Sequence, residues 1–193
     1  SVEEKPSYEI GIHAEDDHGN VSAVHSVFYV LGEWIEPVWQ RTKADVDYAM
    51  QLNNKIAKTG WNSLTSIEQT DWTAGLIGCL NYWDLNRIEQ DTEYLSVLLN
   101  GYGYSQDLTC KMDWLMSDFP YAIEMERIRS NIQALIDSYH AQSSPLPSTL
   151  EKATYRTIND LEHNLKQMKE MIQRMVLSFR YSGTFHSGQE VAF

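Results

Sequence analysis

The stretch 82–99 reads YWDLNRIEQDTEYLSVLL, and Leu85, Ile88, Thr92, Leu95 and Leu99 within it are spaced by 3, 4, 3 and 4 residues. That spacing puts all five on one narrow stripe of an α-helix, of the kind that packs against other helices. The same stripe returns twice. Met125, Ile128, Ile132, Leu135 and Tyr139 repeat it in MERIRSNIQALIDSY, and Ile158, Leu161, Leu165, Met168 and Ile172 repeat it in INDLEHNLKQMKEMI. The copies align on the short tags RIEQD, RIRSN and DLEHN, which lie 40 and 33 residues apart. The period varies and there are three copies, so the pattern predicts a duplicated bundle helix rather than a solenoid.

The polar residues of these copies divide into two groups. Asp84, Arg87 and Asp91 stand at i, i+3 and i+7, which predicts exposed ion pairs worth about 0.2–0.5 kcal/mol each. Asp91, Asn131 and Asn164 recur in register beside the stripe. A side chain there is placed to hydrogen-bond a loop crossing the helix, a structural role rather than a catalytic one. His163 is expected to be exposed on the polar side of the third copy.

Working outward, Ala49, Leu52 and Ile56 mark a preceding helix that Thr59-Gly60 brings to a stop. Trp72 and Trp114 are expected in polar loops ahead of the first and second copies. Asp118 with Pro120 reads as the start of the second. Ser148 with Glu151 fits a capping box for the third, which is expected to run from 149 to about 179. Residues 1–40 differ in character. Val24, Ser26, Phe28 and Val30 alternate with His25, Val27, Tyr29 and Leu31, HGN at 18–20 makes a turn, and Pro37 ends the run. That is the pattern of a small β-hairpin or strand pair. The tail from 180 carries Gly183 and Gly188 among aromatics and is expected to be an extended segment, an arm reaching a neighbour or else a strap on its own bundle. The expected fold is mainly α: a β-rich segment over 1–40, a helical bundle over 41–179, and an arm over 180–193. Phe179, Tyr181, Phe185 and Phe193 are the candidate interaction residues of that arm, set to dock on a neighbour's sheet or groove.

The chain of 193 residues has a formal charge of −12. That charge weighs against a nucleic-acid surface, where Lys and Arg supply most of the affinity, and against an anionic membrane. No run of 18 apolar residues predicts a membrane span, and SVEEKPSYEI does not read as a secretory signal. Cys79 and Cys110 form no CxxC and are expected to be free thiols. His13, Glu15, Asp16, Asp17 and His18 include metal-ligating types, but the spacing matches no ligand set and predicts a solvated loop. There is no phosphate-binding glycine loop, GxSxG or HExxH. The expectation is therefore a protein without cofactor, metal or catalytic residues.

WTAGLIGCLNYWDLNRIEQDTEYLSVLL resembles a segment of tail-tip and baseplate-associated structural proteins of phages infecting Gram-positive hosts. WLMSDFPYAIEMERIRSNIQAL is similar to a companion segment in the same proteins, FRYSGTFHSGQ to their closing stretch, and VHSVFYVLGEWIEP more loosely to their short β motifs. The resemblance covers 60–193 far better than 1–59. The third copy departs from it: no Trp precedes it, and DLE replaces RIE. The resemblance implies a virion structural protein, assembled in the host bacterial cytoplasm as a homo-oligomer with other tail subunits. A host-surface or carbohydrate-binding adhesin, using exposed Trp and Tyr, is the alternative.

Overall fold

The computed structural model describes residues 7–12, 25–30, 32–140, 144–150 and 152–182. This part of the chain is mainly helical. Strands β1 (Ser7–Ile12) and β2 (His25–Val30) pair antiparallel, Ser7 opposite Val30 and Ile12 opposite His25. Helices α1 (Lys43–Thr59), α2 (Ser66–Ala74), α3 (Tyr82–Gly101), α4 (Ala122–Tyr139) and α5 (Tyr155–Ser182) follow. Helices α3, α4 and α5 carry the three copies of the stripe, and they start 40 and 33 residues apart, as the tags do. Each opens with the same device: a residue at the third helical position accepts from the backbone N–H just ahead of the helix. Asp84 takes the Asn81 amide at 2.9 Å, Glu124 the Tyr121 amide at 2.8 Å, and Thr157 the Thr154 amide at 2.8 Å.

Fourteen of the fifteen stripe residues are buried, and Tyr139, the exception, packs against the core from its edge. The three helices run parallel. Parallel neighbours need a return connection, and here the two returns, like the segment ahead of α1, are extended straps laid in grooves between two helices. Strap A (33–41) lies between α3 and α5, strap B (104–114) between α3 and α4, and strap C (144–150) between α4 and α5. Their direction is read from their bonds. Along strap B, Tyr104 packs on Tyr139 at the end of α4, Gln106 bonds Ser96, and Thr109 meets Asn131. Trp114 then reaches Asn86 near the start of α3.

Extended straps have no strand partners, so helix side chains must satisfy their backbone polar groups. Asn86 of α3 accepts from the Trp114 amide at 2.8 Å and donates to its carbonyl at 3.0 Å. Asn159, the matching position of α5, does the same for Arg41 at 3.2 and 2.8 Å. Glu126, the matching position of α4, lies toward the Leu150 amide but stops short of a hydrogen bond: its Oε1 takes Arg129, and its Oε2 has no hydrogen-bond partner among the described residues. At each clamp the strap drives one side chain into the bundle. It is Trp114, Leu150 or Arg41, all buried.

Three expectations need correction. Trp72 lies within α2, not in a loop, because Thr65 and Glu68 form a capping box that starts a helix ahead of it. Trp114 is in a loop but is 2% exposed, clamped by Asn86. The third copy begins at Tyr155 rather than 149, because Leu146 and Leu150 are needed as strap residues over the core. The α5 backbone then continues through Ser182, into the first residues of the expected arm. Residues 183–193 and the 13–18 acidic loop lie outside the described residues. Helices α1 and α2 form a satellite core around Ala49, Leu52, Leu64 and Leu76. Gly78 lets the chain pass against α1, since a Cβ there would meet the Asp45 carbonyl oxygen at 2.1 Å.

Replacing Asn86 or Asn159 by Ala removes a two-bond clamp and strands buried backbone groups, which should cost about 1–3 kcal/mol each. Asn54→Ala on the exposed face of α1 should stay within about 0.5 kcal/mol. Urea unfolding of the three variants measures this, and equal costs would show that the clamps do not hold the straps.

Candidate functional site

The densest polar cluster lies where strap A ends. Two guanidinium groups and two carboxylates alternate around a closed ring. Arg41 Nη2 is 3.0 Å from Asp84 Oδ1 and 2.9 Å from Glu162 Oε1. Arg87 Nη2 is 2.6 Å from the same Asp84 oxygen and 2.8 Å from the same Glu162 oxygen, and Arg87 Nε donates to Glu162 Oε2 at 3.0 Å. All four residues are buried. Burial alone would lower the Arg87 pKa, but the Glu162 and Asp84 carboxylates outweigh it and raise it. The ring also grips the strap: Glu162 Oε2 accepts from the Val38 amide, and Arg41 donates to the Val38 carbonyl. Its formal charge sums to zero, which is how such a group can be kept from water.

Asp91, one helical turn above Arg87, is fully buried and has no ion partner among the described residues. Its Oδ1 accepts from the Ile35 amide at 3.0 Å, while Oδ2 has no hydrogen-bond partner. Burial pushes its pKa up to about 7, helped by Glu162 and opposed by the Ile35 amide, Arg87 and Lys169. Lys169 lies 4.1 Å from the Trp34 ring centroid and 5.9 Å from that of Tyr94. Burial lowers the Lys169 pKa. Elsewhere along the strap, Glu36 pairs with Lys166, and Trp39 stacks on His163 with centroids 4.7 Å apart.

Asp84, Arg87 and Asp91 are thus not surface ion pairs. Each directly precedes a stripe residue, and in this bundle those flanking positions face a strap-filled groove. His163 is half-buried under Trp39 for the same reason. The crossing-loop role holds for Asp91, which takes Ile35, and for Asn131, which donates to the Thr109 carbonyl at 2.8 Å. It fails at Asn164, whose amide donates back to the Asp160 carbonyl while its Oδ1 has no partner among the described residues. Sequence reading missed Arg41 and Glu162. The available signal was that the ring position on α5 is a Glu matching Glu89, itself buried and paired with Arg127.

Of the arm residues, Phe179 and Tyr181 fall on the last turns of the α5 backbone. Their side chains, and all of Phe185 and Phe193, lie outside the described residues. Cys79 and Cys110 are free thiols whose pKa values burial raises. Beside the ring a cleft of about 390 Å³ is lined by Arg41, Val46, Cys79, Leu80, Tyr155 and Ile158 among others. Among the described residues there is no group of three or more potential metal ligands and no helix long and apolar enough to cross a membrane. The ring's charges are spent on one another and on strap amides, so what the arrangement does chemically is hold strap A. No protein-family model matches the chain, and neither does any curated protein or solved structure.

Arg41→Met leaves the Asp84 and Glu162 carboxylates with one guanidinium between them and should cost about 3–5 kcal/mol in chemical unfolding; a loss under ~1 kcal/mol would show the ring to be dispensable. Asp91→Asn should act in the opposite direction. With a native pKa of about 7 against 3.8 when unfolded, the native state holds a proton that the unfolded chain has released. The Asp91 contribution to wild-type stability therefore falls between these values as pH rises, and is flat above. The advantage of Asp91→Asn should grow from near zero at pH 4 to at most ~4 kcal/mol at pH 8. Thermal melts of both proteins across that range test it, and parallel curves would reject the assignment.

Proposed function

We propose that the chain is a structural subunit of a larger particle, the tail tip or baseplate of a phage of Gram-positive hosts or a related tail-like assembly, and that it acts by assembly rather than by catalysis. The observation that carries this reading is that the buried polar chemistry is committed to fastening straps to helices. A bundle stiffened in this way can bear load between neighbours. The resemblance of 72–99, 114–135 and 179–189 to tail-tip segments supplies the class of particle. In this reading the apolar and aromatic C-terminal arm docks on a neighbouring subunit, and the chain is a homo-oligomer within the particle.

Particles purified from a producing host should contain the chain at a fixed copy number by quantitative mass spectrometry. Finding it in the lysate but not in particles would reject the assignment. A chain ending at Ser182 should keep the unfolding temperature of the full chain and be lost from particles. If truncation lowers that temperature by more than a few degrees, the removed segment is an internal strap instead.

A further inference from the structure

Strap B leaves the bundle after Trp114, and between there and α4 it forms a turn that is built inside out. Asp118 accepts from the Leu115 amide at 3.0 Å and pairs with Lys111 at 3.1 Å, while the Asp118 amide donates to the Leu115 carbonyl at 2.9 Å. The polar atoms thus satisfy one another, and the apolar side chains point outward. Met116 is 85% exposed and Phe119 81%, with Leu115, Tyr121 and Ile123 exposed beside them. Pro120 and the Glu124 cap on the Tyr121 amide fix the backbone on the far side. The turn is therefore held in shape by its own bonds before any partner arrives, which lowers the ordering cost of binding. Two aromatics at roughly 150–250 Å² each, with Met116, Leu115 and Ile123, offer an area on the order of the ~800 Å² that one side of a standard interface buries.

We propose that residues 115–123 are a docking knob for an apolar groove rimmed by Lys or Arg on a different protein chain. Charge selects that occupant. From Met112 to Met125 the sequence carries Asp113, Asp118 and Glu124 and no basic residue. The nearest base, Lys111, is engaged with Asp113 and Asp118. A second copy would set these acids against their own kind on a chain of net charge −12, and an anionic membrane would repel them. A basic rim meets them, steers the approach and leaves the groove to take Met116 and Phe119. This deepens the assembly reading and rests on it for the partner being a neighbouring subunit.

The probe is a fluorescent 14-residue amphipathic Leu/Lys peptide, compared with its Leu/Glu counterpart and titrated with the full chain. The Leu/Lys peptide should bind, and the Leu/Glu peptide should not. Met116→Ser with Phe119→Ser should raise Kd about tenfold or more, while Ile67→Ser, an exposed apolar residue on α2, should leave it unchanged. These side chains are exposed, so unfolding temperatures should not move. Equal binding of both peptides, or binding indifferent to Phe119, would overturn the proposal. So would a dimer in sedimentation that the double variant dissolves, or Phe119-dependent binding to phosphatidylcholine vesicles. If the double variant still enters particles and the peptide result fails, the knob is wrong and the assembly reading stands. If the peptide result holds while the chain is absent from particles, the reverse is true.

Discussion

Every extended segment laid on a helical bundle brings backbone amides and carbonyls that no helix backbone can pair. The fold depends on meeting that demand with side chains. Asn86 and Asn159 meet it symmetrically, one amide group closing on the N–H and C=O of a single strap residue. From that constraint the rest follows. Helices fixed at their N-terminal ends by such clamps can run parallel, because the returning chain is held in the groove instead of looping through solvent. Because the straps fill the grooves, the buried arc of each helix is wider than a three-helix seam alone would make it.

The ring of Arg41, Asp84, Arg87 and Glu162 belongs to the same scheme. At the other two clamps the strap buries an apolar side chain, Trp114 or Leu150. At the first it buries an arginine, and two carboxylates and a second arginine come with it. Breaking one member of such a group is costly, though its net worth against an apolar core is small. A guanidinium that must find two carboxylates tolerates one register of the strap, whereas an apolar plug tolerates sliding. Strap A is also the one whose connection to its following helix is interrupted by α1 and α2.

What was legible in the sequence was the part governed by helical periodicity. The fifteen stripe positions and the offsets between helix starts were visible because burial against a helix repeats every three or four residues. The straps were not visible, for two reasons. An extended segment held by side chains from elsewhere has no period of its own, and its partners lie far away: Val38 and Glu162 are 124 residues apart. The charges next to the stripe looked solvated because an isolated amphipathic helix would expose them. Asp91 and Asn131 were placed correctly as contacts to crossing chain. Asn164 was not, because its amide turns back to the Asp160 carbonyl of its own helix.

Strap A fastens a segment that precedes all the described helices to α5, through Arg41 to Asn159 and Val38 to Glu162. The bundle is therefore closed by strap A on α5, like a hoop whose buckle lies at the seam. During synthesis the groove that receives strap A does not exist until α5 has left the ribosome. Residues 33–41 wait through the translation of more than a hundred others, and so the closing step of folding is a long-range one. Until then Arg41, Asp84 and Arg87 remain in water, and their burial comes with the arrival of Glu162.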